Sequence, residues 1–244
     1  ILPQESSKWQ YLEETAKTIL DNAHYCEIRT PIFEATELFS RGVGSSTDIV
    51  NKEMYTFVQK ERSLTLRPEN TAGVVRAYIE NGMFKMPSPL KLWYKGPMFR
   101  YERPQAGRQR QFHQLGIELF GIKEPSADAE VIMLALDYLK ELKLEGLKLE
   151  INNIGCPKCR EDHKSKIKNI LEDKLSALCE DCHVRYEKNP LRILDCKDDT
   201  CKKVLSDEKI LKVIEEDFVC ESCSQYFSQL LKYLEAFNVK YEIN

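Results

Sequence analysis

The chain has 244 residues, enough for one or two domains, and its 36 Lys and Arg against 39 Asp and Glu give a formal net charge of −3. That balance excludes a protein that coats nucleic acid by bulk charge, although a local basic patch is still enough to hold phosphates. No apolar run reaches membrane-spanning length and the opening ILPQESSKWQ has no basic-then-apolar leader pattern, so a cytoplasmic protein with no membrane partner is expected.

In chain order, Trp9, Leu12, Ala16, Ile19, Leu20 and Ala23 recur at helical spacing, which predicts a helix with one buried stripe, capped by Ser6 or Ser7. A short strand follows from Cys26, read as a core residue, and breaks at Pro31. The stretch ELFSRGVGSSTDIVNKEMYTFV is rich in glycine and serine before it becomes strand-like. SLTLRPENTAGVVRAYIENG predicts a strand, a turn and a helix whose apolar positions are Ala72, Val75, Ala77 and Ile79. PLKLWYKGPMFRYER and QFHQLGIELFG read as two strands joined by PQAGRQRQ, with Gly107 free to take the left-handed conformation of a reversal. SADAEVIMLALDYLKEL predicts an amphipathic helix capped by Ser126, and GLKLEIN returns as a strand.

At Gly155 the composition changes. Eight of the nine cysteines lie between 156 and 223, in pairs: Cys156 with Cys159, Cys179 with Cys182, Cys196 with Cys201, and Cys220 with Cys223. Two cysteines a knuckle apart can turn both sulfurs onto one ion, and two such pairs complete a closed tetrahedral site. Eight ligands make two sites, for which zinc is the expected ion; the partnering of pairs stays open, and His163 or His183 could replace a thiolate. A closed site has no position for water, which points to structure and not catalysis. Short lysine-rich helices such as KSKIKNILEDKLSAL carry few large apolar residues, so a metal would compensate for a small core. The helix QYFSQLLKYLEAF then leads to VKYEIN, a last strand.

The stretch FRYERPQAGRQRQFHQLG, residues 99–116, concentrates Arg100, Arg103, Arg108 and Arg110 around one acid, Glu102. Guanidinium forks hold phosphate oxygens in two places at once, and an aromatic face suits a base. Strand alternation puts Arg100 and Glu102 on one face, and Phe112, Gln114 and Glu118 on the same floor. Arg103, beside Pro104, reads as solvated. His24 is expected at a helix end and His113 on the back of the sheet.

GPMFRYERPQAGRQRQFHQLGIELFG resembles motif 2 of the class II aminoacyl-tRNA synthetases, in detail that of the histidyl-tRNA synthetase family. LTLRPENTAGVVRAYIENG is similar to that family's amino-acid-binding segment, and PIFEATELFSRGVGSSTDIVNKEMYTF to its motif 1, the dimer-forming region. LEINNIGCPKCR, NPLRILDCK and YEIN resemble the insertion domain and its flanks. The resemblance implies an α+β fold with an antiparallel sheet flanked by helices and a small, mainly helical Cys-rich insertion. Its implied domains are a catalytic core at 1–153, an insertion at 154–238 and a return strand at 239–244.

It also implies a ligase that joins histidine to the α-phosphate of ATP and passes it to the 3′ end of the histidine tRNA, with Mg2+ on the phosphates and a homodimeric assembly. Carried over by position, Arg100 is catalytic and touches the α-phosphate and the histidine carboxylate. Glu102 and Phe112 hold adenine, and Arg108 and Arg110 the outer phosphates or the tRNA end. Glu69, Thr71 and Gln114 bind the ammonium group, and Glu118 the imidazole. Asn70 stands where the family more often shows glycine. A second histidine motif with its arginine, motif 3 and an anticodon-binding domain have no counterpart, so an amino-terminal fragment, inactive alone, is expected. The alternatives are a histidine-binding regulatory paralogue of histidine biosynthesis and a zinc-dependent RNA-binding module.

Overall fold

The structure, a computed structural model, describes residues 1–42, 47, 49–102, 105–215 and 218–243. The motif 1 stretch at 43–46 and 48, the expected solvated Arg103 with Pro104, and Asn244 of the closing YEIN lie outside the described residues. The chain divides into two compact units, Ile1–Leu147 and Lys148–Asn244.

In the first unit the opening helix α1 runs Pro3–Asn22 and buries Thr15, Ala16 and Leu20. It starts ahead of the serines: Pro3 takes the first helical position, where a missing N–H costs nothing, and Leu2 is the residue before it. Ser6 instead donates its hydroxyl back to the Leu2 carbonyl at 3.2 Å. The strand β1 (Cys26–Glu27) pairs parallel with β5 (Leu90–Phe99), which pairs antiparallel with β6 (Gln111–Phe120). Between them in the chain come β2 (Phe33–Ala35), α2 (Thr36–Gly42), β3 (Thr56–Gln59), β4 (Arg62–Leu66) and α3 (Thr71–Glu80). A second antiparallel sheet orders β2-β4-β3. Cys26 is exposed and not core, because the buried residue before it, Tyr25, takes the inward position.

Alternation along β5 splits its side chains between two apolar layers. Leu92, Tyr94 and Met98 pack with Val74 of α3, and Phe112 and Phe120 join them. Trp93 packs the other way with Leu20 and Tyr25, against Ile117 and against Leu134 of α4 (Pro125–Glu141). That last helix begins with Pro125 after Glu124, so Ser126 lies inside it and is not its cap. In α3 the buried face is Ala72, Gly73 and Val74, whereas Val75 and Ile79 are exposed, the first lining an open cleft. Arg76 ties α3 to β2 by donating from Nε and Nη2 to Glu34 at 3.0 and 2.7 Å.

The turn between β4 and α3 is held from inside. Arg67 is buried; its Nε donates to the Pro97 carbonyl at 2.9 Å and its Nη1 to the Thr30 carbonyl at 3.1 Å. Gly96 makes room for it, since a Cβ there would sit 2.5 Å from Arg67 Nη2. Asn70, also buried, accepts from the Thr30 hydroxyl at 2.5 Å and from Arg67 Nη1 at 3.4 Å. Its side chain thus has a structural use that glycine could not supply. Asn70→Ala is expected to leave these donors short of an acceptor and to cost about 1–3 kcal/mol, read as a lowered urea midpoint at unchanged slope.

In the second unit β7 (Glu150–Ile151) pairs parallel with β8 (Glu242–Ile243), so the closing strand returns to the one that precedes the cysteines. Between them lie α5 (Pro157–Leu171), α6 (Glu180–Lys188), α7 (Asp199–Leu205), α8 (Glu208–Glu215) and α9 (Glu221–Ala236). The core is small: Ile167, Leu171, Ile193 and Ile210 are fully buried, with Cys182, Cys196 and Cys201 packed among them.

Candidate functional site

The turn at 67–70 positions the site. Phe99 N–H donates to the Arg67 carbonyl at 2.9 Å, and Arg100 Nε donates to the Pro68 carbonyl at 2.9 Å. β5 ends at Phe99, and one further backbone bond, from Arg100 N–H to the Arg110 carbonyl at 2.9 Å, extends the pairing to Arg100. The Arg100 guanidinium lies over the Phe112 ring at 5.1 Å and 3.9 Å from Glu102. Arg108 Nη1 donates to Glu102 at 3.2 Å from the other side. Glu102 therefore bridges two arginines at the mouth of the β5–β6 hairpin. Arg110 points elsewhere, its guanidinium 4.4 Å from the centre of the Tyr101 ring. Arg108 and Arg110 are both exposed.

A second group lies on the same face of the sheet. Glu69 accepts the Thr71 and Ala72 backbone N–H groups at 2.6 and 3.0 Å, which caps α3 and fixes its carboxylate at the positive end of that helix. Tyr94 and Glu118 both lie close to the Thr71 side chain, whose hydroxyl favours the charged form of each. Tyr94 lies across Gly116, where an added Cβ would sit 2.4 Å from its hydroxyl. Gln114 stands opposite Gly96, and its Oε1 is buried with no hydrogen-bond partner among the described residues. A buried acceptor left open suits a ligand with N–H groups.

Burial, reinforced by the charge of Glu69, raises the Glu118 carboxyl above the ordinary carboxylate range, while the Thr71 hydroxyl opposes the rise. A folded-state pKa above the unfolded value contributes stability at low pH that is lost as pH rises through the folded pKa. Glu118→Gln removes that loss. The ligand-free protein should then melt higher than the parent at neutral pH, with the difference vanishing below pH 4; equal melting at both pH values contradicts the assignment.

Neither Tyr94 nor Arg67 was singled out by the sequence reading. Their signal is the pair of glycines, Gly96 and Gly116, in facing strands, each giving up its side-chain volume to a neighbouring polar side chain. A cleft of about 680 Å³ beside Glu69 and Thr71 is lined further by Glu37, Leu38, Arg41 and Val75. It does not include the arginine cluster.

The eight cysteines gather into two tetrads, Cys156, Cys159, Cys220 and Cys223, and Cys179, Cys182, Cys196 and Cys201. Within each, all sulfurs lie within 4.8 Å of one another. Four thiolates around a zinc ion at its usual bond length stand about 3.8 Å apart, and Cys179 and Cys196 sulfurs are 3.8 Å apart here. Backbone N–H groups of Cys220 and Cys179 point at the Cys159 and Cys201 sulfurs at 3.1 and 3.2 Å. Cys156, Cys179 and Cys220 each begin a helix, where the dipole favours a thiolate. The Ser222 hydroxyl and the Cys223 amide bring the Cys220 thiol down to about 6, and the adjacent Cys220 pushes Cys223 up to about 11. Such close thiols do not all ionise without a cation among them. Neither histidine belongs to a tetrad: His183 Nε2 bonds the Leu178 carbonyl at 3.1 Å, and the His163 ring stacks on Phe218 at 3.9 Å.

Comparison with known proteins gives a consistent result. The profile described as histidyl-tRNA synthetase matches residues 1–176. A histidine–tRNA ligase of Desulfitobacterium hafniense is 53% identical over 245 residues, covering 100% of this chain and 57% of its own length. The corresponding ligase of Halothermothrix orenii is 53% identical over 246 residues, covering 100% and 58%. The crystal structure of apo Staphylococcus aureus histidyl-tRNA synthetase superimposes with a TM-score of 0.78 at 36% identity, over 100% of this chain and 54% of that one. The chain thus spans somewhat more than half the length of the curated relatives it matches.

Proposed function

The chain belongs to the histidyl-tRNA synthetase family, and from that premise we propose that it supplies the histidine and ATP subsites of a histidine–tRNA ligase. What supports this reading is the approach of Glu69 to Glu118, the open Gln114 acceptor on the same strand as Glu118, and Arg100 held to the neighbouring turn by the Pro68 carbonyl. Glu69, Thr71 and Gln114 take the ammonium group and Glu118 accepts an imidazole N–H. A site built to hydrogen-bond that ring rejects apolar amino acids of similar size, because its own buried polar groups would be left unpaired.

Arg100 sits between the substrate carboxylate and the α-phosphate of ATP. Its guanidinium offsets the charge that builds as one anion approaches another, and its fixed position means little reorganisation is needed during the step. Glu102 accepts the adenine amine, Phe112 presents its face to the ring, and Arg108 takes the outer phosphates. Arg110, resting on Tyr101, is free to swing to those phosphates or to the tRNA end. Mg2+ would enter with ATP and supply neutralisation of the phosphate charge, beside what Arg100 and Arg108 provide. No covalent bond to the protein is required. The adenylate is passed to the histidine tRNA, and the assembly is a cytoplasmic homodimer through the motif 1 region. Among the described residues no helix is long and apolar enough to cross a membrane.

The Cys-rich unit corresponds to the insertion domain. Its two all-sulfur tetrads suit zinc, which supplies the folding energy that the small core lacks. Ligand-dependent melting of the full-length protein tests the substrate assignment. ATP and histidinol should each raise the melting temperature. Stabilisation by histidinol alone favours the regulatory paralogue, and stabilisation by neither removes the reading.

A further inference from the structure

Resting on the metal reading of the cysteines, we propose that the two tetrads are unequal: Cys179, Cys182, Cys196 and Cys201 hold a sealed structural ion, and Cys156, Cys159, Cys220 and Cys223 form an exchangeable clasp. Both take the same class of ligand, a thiophilic divalent cation with tetrahedral preference. They differ in what surrounds them.

Three sulfur ligands of the inner tetrad belong to the hydrophobic core of the unit. Cys182, Cys196 and Cys201 are 0%, 8% and 0% exposed, and they pack with Ile167, Leu171, Leu178, Tyr186 and Ile193. The fourth, Cys179, is half-buried, so a chelator can touch that side, but it takes the ion away only after the side chains around the other three part, which is a sub-global opening of the unit. The outer tetrad has one buried ligand, Cys159 at 3%, while Cys220 is exposed and Cys156 and Cys223 are half-buried. Its ion would present sulfur to solvent on the Cys220 side, so ligand exchange there needs no core to open.

The outer tetrad also has a distinct mechanical position. It joins the first turn of α5 to the first turn of α9, a closure across 61 residues that encloses the whole inner tetrad. Polar contacts reinforce the same closure: Asn153 Nδ2 donates to the Cys223 carbonyl at 2.9 Å, and its Oδ1 accepts from Gly155 N–H at 2.9 Å. Loss of the outer ion therefore loosens the junction of the two helix starts and leaves the inner core closed. A protein with the inner site filled and the outer site empty is a discrete state, reached and reversed by metal supply.

The experiment uses full-length protein purified without chelator. Metal analysis should find two equivalents per chain. A chase with the chromogenic chelator 4-(2-pyridylazo)resorcinol should release one equivalent quickly and the second at least about tenfold more slowly, because only the second waits on an opening of the core. Subdenaturing guanidinium should speed the slow phase alone. Cys220→Ser, at an exposed position, should abolish the fast equivalent and keep the slow one. Iodoacetamide labelling after the fast phase should modify Cys156, Cys159, Cys220 and Cys223, besides the exposed Cys26, and spare Cys179, Cys182, Cys196 and Cys201. Release of both equivalents in one phase, or labelling spread over both tetrads, overturns the inequality while leaving the metal reading intact. Less than one equivalent of metal in protein whose eight tetrad thiols all react overturns the metal reading itself.

Discussion

Replacing Arg100 by alanine in the full-length protein is expected to lower histidine-dependent adenylation by about a hundred- to a thousandfold, the scale of removing one preorganised charge-stabilising donor. The loss should appear mainly in kcat, since the guanidinium acts where two anions are brought together. The fold should tolerate the change, because what is lost internally is one bond to the Pro68 carbonyl, a 3.9 Å ion pair with Glu102 and a place over the Phe112 ring. Arg100→Lys is expected to recover little. A lysine keeps the charge and loses the fork that allows one edge to be held by the turn while the other faces substrate. Single-turnover kinetics with unchanged melting temperature checks this; an Arg100→Ala protein within tenfold of the parent would remove Arg100 from the chemistry.

The second large effect concerns stability. Cys182→Ser removes a fully buried ligand of the inner tetrad. Zinc held by such ligand sets contributes on the order of 10 kcal/mol to folding, as much as the whole stability of an ordinary domain. The mutant should lose the helices of 148–244 by circular dichroism and become protease-sensitive there, while 1–147 stays resistant. Prolonged chelation in mild denaturant should give the same pattern. A Cys182→Ser protein with parental helix content and metal stoichiometry contradicts the structural role.

How far these residues could be read from the sequence varied with the physics behind each one. The pairing of Phe112 and Gln114 on one face followed from strand alternation, since a period of two leaves no freedom once the strand is placed. The cysteine pairs were visible from spacing, but which pair joins which depends on the packing of α5, α6 and α9, and local sequence holds no record of that. Helix starts were misplaced at Ser6 and Ser126 because proline at the first helical position competes with a serine cap and won both times. Val75 and Ile79 matched a helical period, yet the buried stripe of α3 ran one position earlier, through Val74. The phase of a short helix is set by the sheet it covers. Tyr94 and Arg67 escaped notice because their roles arise from space left by glycines on a neighbouring strand or turn, a tertiary property. The role of Asn70 emerged only when Thr30, forty residues away, was seen to donate to it.

The most direct measurement of the central claim is isotope exchange between pyrophosphate and ATP catalysed by the full-length protein, with each of the twenty amino acids supplied in turn. Exchange with histidine alone, abolished by Arg100→Ala and strongly reduced by Glu118→Gln, is the predicted result. Exchange driven by a different amino acid, or histidine binding with no exchange at all, would contradict the account.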